Sequence, residues 1–160
     1  LSVGVELGVK IKHCAEILSR FQAIEQRSEV IEIGEISVIN DCYNANPESM
    51  RAALDVLLNK VGSRKIALLG DMLELGSDSA SFHSELGLHA AAIVDELITI
   101  GPMARYINNA AREVGHSNIS HFENTDLVVE YLKNSLVPGD IILVKASQGM
   151  GLSRVVEAIF

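Results

Sequence analysis

Apolar positions along the chain fall into two kinds of segment that alternate. Short, mostly apolar runs such as KIALLG (65–70), ELITIG (96–101) and IILVK (141–145) are typical of buried strands. Longer segments between them carry apolar residues three and four positions apart, the spacing of a helix with one buried face. Strands that are apolar throughout and alternate with helices predict an α/β fold, with a mostly parallel sheet covered by helices on both faces.

The same pattern predicts the approximate bounds of each element. A first amphipathic helix is expected over 9–21, followed by a polar link over 25–28. Two strands, EVIEI (29–33) and ISVIND (36–41), are expected to join at Gly34. The remaining expected elements are strands at 65–70, 96–101, 119–123 and 141–145, and helices at 47–61, 79–94, 103–114, 125–136 and from 152 onward.

Composition narrows the class of protein. A chain of 160 residues with 48% apolar content can form one domain with a sizeable core. The formal net charge is -8, with only 13 Lys and Arg residues. Because binding to a nucleic-acid backbone depends on concentrated positive charge, a nucleic-acid partner is not expected.

Cysteine usage and hydropathy indicate the compartment. Cys14 and Cys42 form no CxxC pair and belong to no Cys/His cluster at zinc spacing, so neither a disulfide framework nor a structural metal is expected. No apolar run approaches the roughly 20 residues that span a bilayer, and the start lacks a signal-peptide pattern. We therefore expect a soluble, cytoplasmic monomer without membrane contact. Because the chain begins at Leu1, we expect it to be a fragment of a longer protein.

Ligands of parallel sheets bind beyond the carboxyl ends of the strands, which directs attention to the loops at 40–49, 70–76, 101–102 and 145–151. In the first loop Asn46 can cap the next helix and Pro47 suits its first turn. Capping does not require Asp41, Tyr43 or Asn44. A carboxylate after a strand suits the two hydroxyls of a ribose, so a ligand site and a simple turn with a cap both remain open. The GP pair at 101–102 is assigned no chemistry.

The second and fourth loops carry charged groups. Asp71 and Glu74 could orient an ammonium group or hold magnesium through water, or could simply be a solvated loop. His83, on the next helix, could approach the same crevice, although a lone helical histidine is usually a surface or core residue. Lys145 and Ser147 precede a helix N-terminus, where an anion is favoured. No Walker A motif, nucleophile elbow or HExxH occurs, so the chain lacks the usual motif for holding ATP phosphates by itself.

The segments INDCYNANPESMRAAL, LLGDMLELG and ILVKASQGMGLSRVVEAI closely resemble the C-terminal domain of the Mur ligases, and most closely its D-alanyl-D-alanine-adding members. The resemblance covers the whole chain. It implies a Rossmann-like, doubly wound domain over 27–160 that binds the acceptor. It further implies that residues 1–26 are the end of the central ATPase domain and its linker.

The resemblance also implies an activity for the complete polypeptide. The family forms an amide by phosphorylating a carboxylate with ATP and letting an amine attack the acyl phosphate. The implied partners are UDP-N-acetylmuramoyl-tripeptide, D-Ala-D-Ala and the central domain of the same polypeptide. ATP and Mg2+ would be held mainly by that central domain, so this part alone is expected to be inactive.

Carried over residue by residue, the resemblance implies two groups of site residues. Arg27 would reach ATP and Asp41 would hold its ribose. The other residues of the nucleotide cleft would be Tyr43, Asn44 and Asn46. The dipeptide pocket would be formed by Asp71 and Glu74 facing the ammonium group, by Lys145 and Ser147 facing the carboxylate, and by His83.

The sequence departs from the family pattern at four positions: Gln26 and Ala146 where glycine is usual, Gln148 where arginine is usual and Ser153 where glutamate is common. A methyl group at Ala146 restricts the backbone of the last loop, and the loss of arginine removes a fixed charge beside it. Two alternatives remain open. One is another Mur or folylpolyglutamate-type ligase, and the other is a non-catalytic nucleotide-binding or interaction domain.

Overall fold

A computed structural model describes residues 2–19 and 26–159. Its centre is a six-stranded sheet in the order β1-β2-β6-β3-β4-β5. β1 pairs antiparallel with β2, and every other pairing is parallel, as the apolar strands predict. The strands are β1 (Glu29–Ile33), β2 (Ile36–Asn40), β3 (Arg64–Gly70), β4 (Glu96–Ile100), β5 (Ile119–Phe122) and β6 (Asp140–Lys145).

Helices cover both faces of the sheet, which confirms the doubly wound α/β fold. One apolar core lies between the sheet and α3, α4 and α5, and a second lies between the sheet and α6 and α7. None of the helices in the described part of the chain is long and apolar enough to cross a membrane. The helices are α1 (Ser2–Glu6), α2 (Ile11–Ser19), α3 (Pro47–Leu58), α4 (Ser79–Ala91), α5 (Ala104–Glu113), α6 (Thr125–Ser135) and α7 (Ser153–Ala158).

Local signals set the start of α3. The Oδ1 of Asn46 accepts the Ser49 N–H at 2.8 Å, the Ser49 hydroxyl accepts the Asn46 N–H at 3.1 Å, and Pro47 occupies the first turn. The predicted end at 61 was three residues too long, because Asn59 closes the helix by donating to the Asp55 carbonyl.

Other bounds also differ from the predictions. α4 ends at Ala91 rather than at 94, since the backbone N–H groups of Ile93 and Val94 both turn back to the Ala90 carbonyl. The short helix α1 was not predicted. The predicted helix over 9–21 corresponds to α2, and the part of that prediction beyond residue 19, with residue 25 of the predicted link, lies outside the described residues.

The strand order fixes where a ligand can bind. β6, the last strand, lies between β2 and β3. The chain leaves β2 and β3 toward the face covered by α3 and α4, and it leaves β6 toward the face covered by α7. Loops that depart to opposite faces open a crevice between neighbouring strands, so crevices flank β6 on both sides at its carboxyl end.

Candidate functional site

The first cavity, of about 370 Å³, lies between the carboxyl ends of β2 and β6 and one side of α3. It has a polar end formed by the loop after β2 and an apolar wall formed by small residues of α3. Its lining residues are Arg27, Ser28, Asp41, Tyr43, Asn44, Asn46, Ser49, Ala52, Ala53, Val56 and Lys145.

A buried ion pair forms the floor of this first cavity. The Nζ of Lys145 lies 2.6 Å from Oδ2 of Asp41 and also donates to the Asn44 carbonyl at 2.9 Å. The Lys145 side chain is only 2% exposed, so these oxygens, and not water, stabilise its ammonium group. The other carboxylate oxygen of Asp41 accepts the Ser28 N–H at 2.8 Å. Each oxygen keeps a further lone pair, so Asp41 can accept hydrogen bonds from the hydroxyl groups of a ligand.

Arg27 lies at the mouth of the first cavity. Its guanidinium carbon is 4.1 Å from the centroid of the Tyr43 ring. The Tyr43 N–H donates to the Gln26 carbonyl at 3.1 Å, which ties the segment before Arg27 to the loop after β2. Gln26 and Ser28 have φ angles of 61° and 48°, in the left-handed region that non-glycine residues rarely adopt.

Two asparagines complete the polar end. Oδ1 of Asn44 accepts the N–H of Ala45 at 2.8 Å, and Oδ1 of Asn46 accepts the N–H of Ser49 at 2.8 Å. Both oxygens therefore shape the loop, while neither side-chain NH2 group has a hydrogen-bond partner among the described residues. These two amides can donate to a ligand.

A second cavity, also of about 370 Å³, opens on the other side of β6. Glu74 is exposed there and has a φ of 62°, so the backbone holds this carboxylate in a strained turn. Tyr43 and Asn44 line both cavities and so form the wall that they share. The lining residues of the second cavity are Tyr43, Asn44, Leu73, Glu74, Ser147, Gln148 and Gly149.

Ser147 joins the loops that surround the second cavity. Its hydroxyl accepts the Leu73 N–H at 2.9 Å and donates to the Ala45 carbonyl at 3.4 Å, and its own N–H donates to the Asp71 carbonyl at 3.0 Å. The expected grouping of Lys145 with Ser147 around one carboxylate therefore differs from the structure. Lys145 lies in the first cavity, where its Nζ donates to Asp41, whereas Ser147 lies beyond the end of β6 in the loop that lines the second cavity.

Asp71 does not face the second cavity as expected. It is 2% exposed, and its Oδ1 accepts the N–H of Ala104 at 2.7 Å, so it caps the start of α5. Gly101, with a φ of 106°, makes room for this contact, since a Cβ there would come within 2.5 Å of Oδ1. The geometry argues against direct contact between Asp71 and a ligand.

His83 is also withdrawn from the crevice that it was expected to approach. Its side chain is fully buried. Nε2 accepts the Met72 N–H at 2.9 Å, and Nδ1 lies 2.7 Å from the Ser79 carbonyl and so carries the proton. Because both ring nitrogens are bonded to backbone, His83 fixes the loop that presents Glu74 and does not itself reach the cavity.

Cys42, next to Asp41, is not a nucleophile. It is 4% exposed, and its thiol donates to the Val144 carbonyl at 3.4 Å. Burial, followed by the nearby charge of Asp41, raises the pKa of Cys42 to about 12, so the thiolate does not form near neutrality. Within the described residues there is also no group of three or more His, Cys, Asp or Glu side chains that could hold a metal ion.

Several lining residues were not predicted as site residues. Ser28 contributes a backbone N–H, which no sequence pattern reveals. Ser49 follows Asn46 by three positions, and that capping-box spacing could have indicated it. Gln148 and Gly149 lie in the loop at 145–151, and the position of that loop after a strand was the available signal.

Comparison with known proteins assigns the chain to a family. Residues 26–148 match the family described as Mur ligase, glutamate ligase domain. The chain is 33% identical over 161 residues to UDP-N-acetylmuramoyl-tripeptide--D-alanyl-D-alanine ligase of Bacillus subtilis, covering 98% of this chain and 35% of that protein. It is 31% identical over 181 residues to the protein of the same name from Mycobacterium tuberculosis, covering 99% and 36%. The chain thus spans about a third of the length of the curated relatives it matches.

Solved structures share the fold over nearly the whole chain. The MurF ligase from Thermotoga maritima in complex with ADP superposes with a TM-score of 0.85 at 27% identity, covering 99% of this chain and 35% of that one. MurF from Acinetobacter baumannii gives a TM-score of 0.85 at 27% identity, covering 98% and 35%. With this fold and the match over residues 26–148, the chain belongs to the Mur ligase family.

Proposed function

We propose that this chain is the acceptor-binding C-terminal part of an ATP-dependent amide ligase that adds D-Ala-D-Ala to UDP-N-acetylmuramoyl-tripeptide in peptidoglycan precursor synthesis. The observation that carries the proposal is the pair of adjoining cavities on either side of β6, with Tyr43 and Asn44 in their common wall. A ligase that joins an activated carboxylate to an amine must hold a nucleotide and an acceptor side by side.

The first cavity suits a nucleoside. Asp41 would accept hydrogen bonds from the ribose hydroxyl groups, and Lys145 would hold the carboxylate in place. The flat base would pack against Ala52 and Val56. Arg27 would meet the phosphates, and the side-chain amides of Asn44 and Asn46 would donate to the ligand. When bound, ATP supplies the phosphoryl group that activates the carboxylate of the tripeptide.

The second cavity suits a dipeptide with a free amine and a free carboxylate. Glu74 would face the ammonium group, and the Ser147 loop would lie at the carboxylate. Asp71 and His83 would act through the backbone, by fixing the ends of the loop over 71–75. Gln148 in this cavity leaves it without the fixed positive charge of an arginine.

The remaining parts of the reaction would lie outside this chain. Mg2+ and most ATP contacts would belong to a central domain of a longer polypeptide. Residues 1–26 would be the end of that domain. Val3, Leu7 and Ile11 are exposed in this chain and would pack against the rest of the central domain. We propose a cytoplasmic, monomeric enzyme of which this part alone is inactive.

The test is phosphate release by the complete polypeptide that carries this chain. It is supplied with ATP, UDP-N-acetylmuramoyl-tripeptide and one acceptor from a panel of D-Ala-D-Ala, D-Glu and L-Glu, or none. We expect release that requires D-Ala-D-Ala and falls sharply in Glu74→Gln. The matched control is Glu48→Gln, an exposed carboxylate in the first turn of α3, which should leave the rate unchanged.

Two results would contradict the proposal. Release that requires D-Glu or L-Glu would assign the chain to another ligase of the family. Tight ATP binding without release for any acceptor would favour a non-catalytic nucleotide-binding domain. In either case the two cavities would need a different pair of ligands.

A further inference from the structure

Arg27 has an unusual set of contacts for a side chain at the edge of a cavity. Its guanidinium carbon lies 4.1 Å from the centroid of the Tyr43 ring. Among the described residues, the guanidinium group makes no salt bridge and no hydrogen bond. Its charge is therefore not neutralised by a carboxylate, and its N–H groups stay available for an anion.

The backbone on both sides of Arg27 is fixed. The Gln26 carbonyl accepts the Tyr43 N–H at 3.1 Å, and the Ser28 N–H donates to Oδ1 of Asp41 at 2.8 Å. Both flanking residues have positive φ angles, of 61° and 48°, which only well-determined surroundings maintain. The chain thus fixes the backbone at Arg27, but four side-chain torsions still separate that backbone from the guanidinium group.

The Tyr43 ring removes this freedom. A guanidinium group within about 6 Å of an aromatic face is attracted to it, and stacking leaves the N–H groups at its edge free to bind a ligand. Tyr43 itself is anchored by its backbone N–H, and its hydroxyl has no hydrogen-bond partner among the described residues. The ring face, and not the hydroxyl, is the part that acts.

We propose that Tyr43 is a positioning residue for Arg27. Its ring holds the guanidinium group over the mouth of the first cavity, where that group meets a phosphate of a nucleoside triphosphate. The identity of the ligand rests on the proposed function, whereas the stacking of the two side chains does not. Tyr43 therefore acts on the nucleotide through Arg27.

The first test measures steady-state kinetics of the complete polypeptide with ATP as the varied substrate. Tyr43→Leu should raise KM for ATP by about 2- to 5-fold, the usual worth of an exposed cation–π contact, with a smaller change in kcat. Tyr43→Phe and Tyr43→Trp keep an aromatic face and should retain the KM of the unaltered enzyme. Tyr43 is 41% exposed, so none of these changes should prevent folding, which thermal unfolding will verify.

A double-mutant cycle separates action through Arg27 from a direct contact with ATP. In an Arg27→Ala background, Tyr43→Leu should raise KM no further. If the two effects multiply, or if Tyr43→Phe is as damaging as Tyr43→Leu, the positioning role is wrong.

The second test requires no ligand. In NMR spectra of the 160-residue chain, the Arg27 side-chain protons should show an upfield ring-current shift. The shift should persist in Tyr43→Phe and vanish in Tyr43→Leu. Its absence from the unaltered chain would overturn the inference whatever the enzyme does. A clear shift in a complete polypeptide that turns over no ATP would instead leave the stack intact and overturn the proposed function.

Discussion

Two buried ion-pair clusters lie at opposite ends of the same parallel sheet. At the amino ends of β3, β4 and β6, Arg64 donates to both oxygens of Asp140, at 3.0 and 2.6 Å, and to Glu96 at 3.0 Å. At the carboxyl ends, Lys145 donates to Asp41 at 2.6 Å. Both clusters pair a cation with a carboxylate that is distant in the sequence, but their surroundings differ.

The amino-end cluster is closed. The Tyr131 hydroxyl donates to Glu96 at 2.5 Å, the Val137 N–H donates to Asp140 at 2.9 Å, and the Ser135 carbonyl accepts from the guanidinium group at 2.8 Å. The two acidic side chains are 2% and 0% exposed, and the side chain of Arg64, 29% exposed, has all three of its guanidinium nitrogens in hydrogen bonds. Such a fully satisfied network stabilises the fold and leaves nothing for a ligand.

The carboxyl-end pair is open by comparison. Asp41 remains 13% exposed and lines the first cavity, and its oxygens keep unused lone pairs. The difference teaches that a buried ion pair indicates function only when an accessible cavity adjoins it.

The largest expected effect breaks the closed cluster. Arg64→Met leaves the carboxylates of Asp140 and Glu96 buried without their cation, and we expect the free energy of unfolding to fall by about 3 to 5 kcal/mol. Urea unfolding of the chain measures it. The control is Arg51→Met, which removes an exposed pair with Glu85 and should cost less than about 1 kcal/mol. Equal losses in the two variants would show that the amino-end cluster is not a special source of stability.

A smaller loss of stability is expected at the open pair. In Lys145→Met, Asp41 keeps contact with solvent through the cavity, so the free energy of unfolding should fall by only about 1 to 3 kcal/mol. In the complete polypeptide, however, kcat/KM for ATP should fall by about 100-fold, because Asp41 loses the group that orients it. Parallel unfolding and kinetic measurements check both figures. A variant that loses stability but keeps its activity would make this pair equivalent to the closed cluster.

The sequence predicts what is decided locally. The pattern of apolar positions predicted each strand that the structure describes. Asn46 with Pro47 predicted the start of α3, because capping depends on residues a few positions apart. The loops that hold both cavities were also found, since the carboxyl ends of parallel strands are where ligands bind. Element ends were less certain, as the early end of α4 at Ala91 illustrates.

Contacts between distant residues were beyond such reasoning. Lys145 and Asp41 are 104 positions apart and meet only because β6 inserts between β2 and β3. Asp71 and His83 were expected in the dipeptide pocket, but sequence could not show that backbone N–H groups already occupy their side chains. The residue type shows that a polar side chain can form hydrogen bonds with a ligand. The fold decides whether other groups of the protein already occupy its donors and acceptors.

Alkaline titration compares the two ends of the sheet again. Burial raises the pKa of Cys42, at the carboxyl end, from 9.0 to about 12. Burial, with the hydrogen bond to Glu96 second, raises the pKa of Tyr131 at the amino end. Both groups keep their protons to a higher pH in the folded state. The stabilising contribution of Cys42 is therefore complete below pH 9.0 and is lost as the pH rises toward 12.

We therefore expect the free energy of unfolding to fall with pH in this range. Cys42→Ala should flatten the fall by up to about 1.4 kcal/mol per pH unit. Urea unfolding at a series of pH values gives the slopes. An unchanged slope in Cys42→Ala would assign the alkaline loss to Tyr131 and the closed cluster.

The smallest expected effect concerns residues 26–28, the strained segment whose Ser28 N–H donates to Asp41 of the open pair. Gln26 has a φ of 61°, which a glycine adopts without the steric cost of a Cβ. Gln26→Gly should raise the free energy of unfolding by about 0.5 to 1 kcal/mol, after the greater freedom of glycine in the unfolded chain is subtracted. Gln26→Ala keeps the Cβ and should give no gain in the same urea titration. If both substitutions stabilise the chain equally, the strain at this position is not steric. The positive φ must then be supported by the backbone hydrogen bonds of residue 26, from its N–H to Glu29 and from the Tyr43 N–H to its carbonyl.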